Sequence, residues 1–207
     1  MERRHMKLGE IKIEALKLMF ATGNRDVGVS DLEGMVHEEE YADYLLAMPG
    51  AINRCFAVLE ERRVLPVKSF RLGEGGRYAL DELIPDIFDI ERIVYEGEGE
   101  YDGDCEYFRE GDSVIIRDFD SHGEYRVLYK PSLERITSYT PDDTELKIPD
   151  RIACLIPYFI KSELFRVDEP DEAAEARNLF EMSIEQISKR EDGRQSRVAH
   201  SYSFSEV

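Results

Sequence analysis

The chain has 207 residues and a mass of 24.0 kDa, with 42% apolar and 35% charged side chains, enough to bury a core in one or two domains. Forty-five Asp and Glu against twenty-seven Lys and Arg give a net charge of −18. That sign excludes a general nucleic-acid binder and disfavours attachment to an anionic membrane.

Glu2, Arg3, Arg4 and Lys7 faintly resemble the start of a signal peptide, but Glu10, Lys12, Glu14 and Lys17 interrupt the apolar run that would have to follow. No run approaches the roughly 20 apolar residues that span a bilayer. Cys55, Cys105 and Cys154 are odd in number and far apart, and no Asn begins a glycosylation sequon, so the expectation is a protein made in a reducing compartment with free thiols.

In chain order, Leu8, Ile11, Ala15, Leu18 and Met19 predict a helix from about Gly9 to Thr22, stopped by Gly23-Asn24. Ser30 with Glu33 resembles a capping box. Tyr41, Tyr44, Leu45, Met48, Ile52, Cys55, Phe56 and Leu59 predict one long helix, kinked at Pro49, because the stripe stays in phase across the proline. From Val67 the pattern changes to strands: Val67 to Leu72, Ile87 to Tyr95, Ser113 to Phe119 and Tyr125 to Tyr129. Gly73-Glu74-Gly75-Gly76, Gly111-Asp112 and Ser121-His122-Gly123 are expected hairpin turns. A helix opened by Pro149 and crossed by Pro157 follows, with Ile152, Leu155, Ile156, Phe159, Ile160 and Leu164 on its apolar face. The last helix buries Ala173, Ala176, Leu179, Phe180, Ile184 and Ile187.

The expected fold is α+β: a helical bundle built from both ends of the chain, an inserted small antiparallel β module, and a C-terminal extension. Residues 1–65 and 141–190 supply the helices, 66–140 the acidic insert, and 191–207 an extended tail. The insert concentrates the charge, with sixteen acids and three Arg from Asp81 to Glu124, a net of −13.

Chemistry is sparse. His5, His37, His122 and His200 lack metal-ligand spacing, and no C-x-x-C occurs. The glycine-rich segment at 73–76 lacks the Lys-Ser/Thr ending of a phosphate loop. Asp102, Asp104 and Glu106 begin like a calcium loop, but Tyr107 and Ser113 stand where it needs Gly and an acid. No pair of carboxylates is singled out for acid–base work. An enzyme is not expected. The polar tail from Arg190 to Val207 cannot form a core of its own, so Val198 to Phe204 is expected to dock on a neighbouring chain, as an added strand in one arrangement, with packing back on its own domain as the alternative. The acidic insert reads either as a solubilising surface or as a wall from which DNA slides away.

The segments Tyr41-Ala42-Asp43-Tyr44-Leu45, Met48-Pro49-Gly50-Ala51-Ile52-Asn53-Arg54-Cys55, Ile148-Pro149-Asp150, Leu155-Ile156-Pro157-Tyr158-Phe159 and Asn178-Leu179-Phe180-Glu181, flanking a β insert, resemble the adaptor proteins of tailed-phage head-to-tail connectors. The layout is also similar to the tail tubular A proteins of short-tailed phages. The resemblance runs from about Leu8 to Lys189. It implies a structural virion protein at the head-to-tail interface, assembled in the host cytoplasm, with no cofactor, no metal and no catalysis. It implies a homo-oligomeric ring of about twelve copies beneath the portal protein, a contact with the next tail or nozzle component, and a channel through which DNA passes without sequence-specific binding. Combined with the tail reading, it points to Arg197, Val198, Tyr202 and Phe204 as residues docking on the portal or a neighbouring subunit. An acidic DNA-mimic inhibitor of a DNA-processing enzyme is the alternative, although its charge should be spread along helices.

Overall fold

The computed structural model describes residues 5–20, 28–96, 102–116 and 124–201, the stretch 190–201 as backbone. Two compact units result: Met1–Val64 with Arg135–Val207, and Leu65–Glu134. The second boundary lies at 134/135 rather than 140/141, because the chain from Arg135 onward is fastened to the helices. The fold is α+β, with a helical bundle made from both chain ends and an inserted antiparallel β module.

In the helical unit, α1 (Leu8–Phe20) buries Leu8, Ile11, Ala15, Leu16 and Met19. Its first N–H groups lack intrahelical acceptors and donate instead to the carbonyls of Thr144 (Leu8, 2.9 Å) and Asp142 (Gly9, 2.8 Å). A 3-10 turn at Val29–Asp31 precedes α2 (Leu32–Met35). The expected Ser30–Glu33 capping box does not form. Asp31 caps instead, accepting the Gly28 N–H at 2.8 Å, since its shorter side chain already faces that donor.

The long helix α3 (Glu39–Glu61) continues through Pro49 as one element. Met48, Ala51, Ile52, Cys55 and Leu59 are fully buried, and this burial offsets the roughly 3 kcal/mol that an internal proline costs. The second proline-crossed helix behaves differently. Asp150–Ala153 forms α5, the chain turns at Cys154 and Leu155, and α6 (Ile156–Leu164) begins with Pro157 in its first turn. Placed there, Pro157 forfeits no hydrogen bond, whereas in a single helix it would clash with the carbonyl of Ala153. Helix α6 is the shared partner of α1, α3 and α7 (Pro170–Ser201).

In the inserted unit, β1 (Lys68–Leu72), β3 (Ile87–Glu96), β4 (Asp102–Asp104) and β7 (Glu124–Pro131) form an antiparallel sheet of order β1-β7-β3-β4. A second sheet, β2-β6-β5, is built from β2 (Gly76–Ala79), β5 (Tyr107–Glu110) and β6 (Ser113–Ile116), and a short helix α4 (Leu80–Leu83) follows β2. Residues 73–75 therefore do not close a hairpin: β1 pairs with β7 and β2 with β6, so this segment passes between sheets. The hairpin at Gly111 does form, with Gly111 at φ 60° joining β5 to β6. Both sheets bury one apolar cluster that includes Ile90, Ile93, Val114, Ile116, Tyr125 and Val127. The predicted turn at 121–123 lies outside the described residues.

Beside this cluster Asp86 joins three elements. It pairs with the Lys68 ammonium, accepts the Tyr129 hydroxyl at 3.2 Å, and its carbonyl accepts the Ser132 N–H at 2.7 Å. Burial raises the Asp86 pKa, but Lys68 and Tyr129 outweigh it, so the carboxyl titrates below its ordinary value. Burial, then the Asp86 charge, pushes Tyr129 up to about 12. The depressed acid stabilises the fold above the carboxylate range, and that contribution is lost as pH falls through the folded-state value. The raised phenol stabilises below pH of about 10, lost as pH climbs toward about 12. Asp86→Asn should therefore flatten the acid limb of the stability profile and bring the Tyr129 midpoint down in a tyrosinate absorbance titration.

Candidate docking surfaces

Helix α7 seats on the bundle through Ala173, Ala176, Phe180 and Ile184, all buried at three- and four-residue spacing. Phe180 meets Phe159 edge-to-face at 5.1 Å, and the Arg177 guanidinium lies 4.6 Å from the Phe159 ring centre. Leu179, expected in the core, is 41% exposed, because it sits one residue off the seam. The helix does not stop near residue 190. Its backbone is helical to Ser201, so Arg197 and Val198 lie in a helix and not in an extended tail or an added strand. The physical reason is propensity: Lys189, Arg190, Glu191, Arg194, Gln195, Arg197 and Ala199 are good helix formers and outweigh Asp192, Gly193, Ser196 and Val198. Tyr202 and Phe204 lie outside the described residues.

A second feature has no counterpart in the sequence reading. The loop after Arg135 is held to α3 and α1 by side chains at both ends. Arg135 bonds the buried Glu60 carboxylate at 2.7 Å. Asn53 accepts the Ile136 N–H at 2.8 Å and donates to the Ile136 carbonyl at 2.7 Å, imitating a strand partner. Beyond the loop's apex, Asp142 pairs with Lys12 at 2.7 Å. A Cβ on Gly9 would sit 2.6 Å from Val29 and 3.1 Å from Asp142, so only glycine admits this approach. Between these anchors Thr137 and Thr140 close a tight turn: the Thr140 N–H reaches the Thr137 carbonyl at 3.2 Å, and the Thr137 N–H reaches the Thr140 hydroxyl at 2.9 Å. The Tyr139 N–H adds a bond to Thr137 Oγ1 at 3.2 Å. At its tip Tyr139 is 93% exposed. The available signal was residues 136–141, an uncharged run in a chain one-third charged.

Asn53→Ala strips both bonds from a half-buried peptide group. It is expected to cost about 1–3 kcal/mol in urea denaturation, with loss of amide protection at Ile136 in hydrogen exchange.

A cleft of about 540 Å³ lies between α1, α5 and α6, lined by His5, Met6, Glu10, Glu14, Leu18, Asp150, Cys154, Pro157 and Tyr158. His5 Nδ1 donates to the Ile148 carbonyl at 3.1 Å. Cys154 is exposed, while Cys55 and Cys105 are buried. Burial pushes all three thiols up, which works against a nucleophilic thiolate. Among the described residues no cluster of His, Cys, Asp or Glu could hold a metal ion, and no helix is long and apolar enough to cross a membrane.

The acidic insert is less bare than its sequence implies. Leu65–Glu134 carries eighteen acids and eight bases, a net of −10. Glu96 is flanked by Arg126 at 2.8 Å and Arg71 at 3.2 Å; Glu110 pairs with Arg77 at 3.0 Å, and Asp89 and Asp104 lie 3.6 Å from Arg109 and Arg92. Most of these bases come from cross-strand neighbours outside the stretch in which the acids concentrate.

No family model matches the chain, and no curated protein matches it.

Proposed function

We propose that this protein is a head-to-tail connector adaptor of a tailed bacteriophage: a structural subunit that forms a ring under the portal, joins it to the next tail component and leaves a channel for DNA. The observation that carries the reading is α7. Among the residues whose side chains are described, Ile184 is the last buried one along it, and the helical backbone continues to Ser201, roughly 25 Å further at 1.5 Å per residue. Polar helical segments this short are marginal in water unless a partner holds them. A long polar C-terminal helix on a bundle built from both chain ends suits a grip on a larger ring, with Arg197, Val198, Tyr202 and Phe204 as the docking residues. A connector subunit requires no catalysis and no cofactor.

The DNA-mimic reading fits less well. A phosphate mimic must present its carboxylates to a basic partner, and here Asp89, Glu96, Asp104 and Glu110 already face arginines of the same chain. The biological test is a phage genome lacking this gene. The expected result is heads that package DNA and then lose it, without tails attached, and complementation by the full chain. Normal yields of infectious particles would sink the proposal.

A further inference from the structure

We infer that Tyr139 of one copy inserts into the α1–α5–α6 cleft of the next, so that copies of this chain join head to tail. The inference rests on the ring reading above and names one repeated contact within that ring.

Four observations support it. First, the knob is preorganised. Tyr139 is 93% exposed on a turn fixed by Thr137 and Thr140, and the loop is tied down by Asn53 and Asp142. Little ordering entropy is left to lose on docking, and tyrosine is among the side chains that most often dominate interfaces. Second, the cleft offers what a tyrosine needs. Met6, Leu18 and Pro157 provide apolar wall, and Asp150, with Glu10 and Glu14 beside their Lys7 N–H (2.8 Å) and Lys17 (2.9 Å) partners, brings carboxylate oxygens that can accept a phenol O–H. The His5 ring, held by its Nδ1 on the Ile148 carbonyl at 3.1 Å, adds a further polar group to the lining.

Third, charge selects this segment. A chain of net charge −18 repels its own copies, and an acid-lined cleft rejects most of its surface. Residues 136–141 bring no charge, and among the described residues Tyr139 is the most exposed of the large apolar ones. Fourth, knob and cleft are placed for propagation. The Tyr139 loop is fastened to α1 through Lys12, whereas Glu10 and Glu14 line the cleft. At 100° per residue each of these acids lies roughly 160° around the helix from Lys12. Complementary patches on opposite flanks make a heterologous contact, which forms rings when the rotation closes. One aromatic knob buries well under the roughly 1,000 Å² of a stable interface, so the contact acts as a repeated lock within the ring and not as the basis of a free dimer.

The native Cys154 in the cleft gives a direct test, since the other two cysteines are buried. In a Tyr139→Cys chain, diamide takes two electrons and two protons from a pair of thiols and leaves a disulfide, which forms when the two Cα atoms come within about 7 Å. The expected result is a ladder of linked dimers, trimers and larger species on a non-reducing gel, absent when Cys154→Ser is added. The oxidation is run on the concentrated free chain and on its complex with the portal ring. A stoichiometric complex without any ladder would overturn the Tyr139 contact and leave the connector reading standing. Neither complex nor ladder would overturn both. Linked dimers that survive Cys154→Ser would indicate a symmetric knob-to-knob contact and also overturn the inference. Tyr139→Ala, at a site with almost nothing to lose on the inside, should keep the wild-type Tm while reducing self-association in the portal complex.

Discussion

Phe180→Ala is expected to destabilise the helical unit by about 3–5 kcal/mol. Phe180 is fully buried on α7, with its ring edge-to-face against Phe159 and the Arg177 guanidinium 5.8 Å from its centre. Truncation removes apolar burial, opens a cavity and costs Phe159 its aromatic partner. The effect is large because α7 packs mainly on α6, so few other contacts can take up the loss. Urea denaturation followed by circular dichroism measures it, and the control is one residue away. Leu179→Ala, at a position 41% exposed, should change stability by only about 0.5 kcal/mol. Equal effects at the two positions would mean that α7 does not sit on the bundle through the Ala173, Ala176, Phe180 and Ile184 seam.

Ile93→Ala should cost about 2–5 kcal/mol in the β unit. Ile93 is wholly buried on β3, within the cluster that serves both sheets. Its carbonyl also accepts the Cys105 N–H at 2.7 Å, which brings the chain after β4 back onto the cluster. The cavity would therefore be bordered by side chains of both sheets. Phe108→Ala, on β5 and 48% exposed, is the comparison nearer the surface and should cost clearly less than Ile93→Ala. Near-UV circular dichroism of Tyr95 and Tyr125, whose rings lie 5.3 Å apart, would report loosening of the same core.

The helices were legible because their apolar residues recur at helical spacing, and burial follows that spacing with few exceptions. Pro49 and Pro157 show where the pattern runs out. Both interrupt stripes that stay in phase, yet α3 carries its proline inside while the second stripe breaks into α5 and α6. The deciding factor is packing: Pro49 stands among fully buried neighbours on both sides, and the turn at Cys154 and Leu155 lets Pro157 occupy a first turn. The long strands β3 and β7 were readable from their β-branched runs. Strands β2, β4 and β5 have three or four residues each, too few for alternation to emerge, and their membership of one sheet or the other depends on long-range pairing.

The docking surfaces divide along the same line. A polar C-terminal stretch was legible in composition, while its helical backbone to Ser201 follows from helix propensity. Tyr139 could not be chosen from sequence among eleven tyrosines, because what distinguishes it is exposure on a turn that Asn53 and Asp142 hold from distant elements. The acid of the insert was visible in composition, while its ion pairs depend on strand register, which places Arg71 and Arg126 beside Glu96.

The central claim is that this chain joins a portal ring, and mass by light scattering tests it most directly, for the protein alone and mixed with its cognate portal ring. The predicted result is addition of about twelve copies per portal ring, lost when residues 191–207 are deleted and retained when only the β module's surface arginines are changed. No association between the full chain and the portal, at concentrations where both remain folded, would contradict the account.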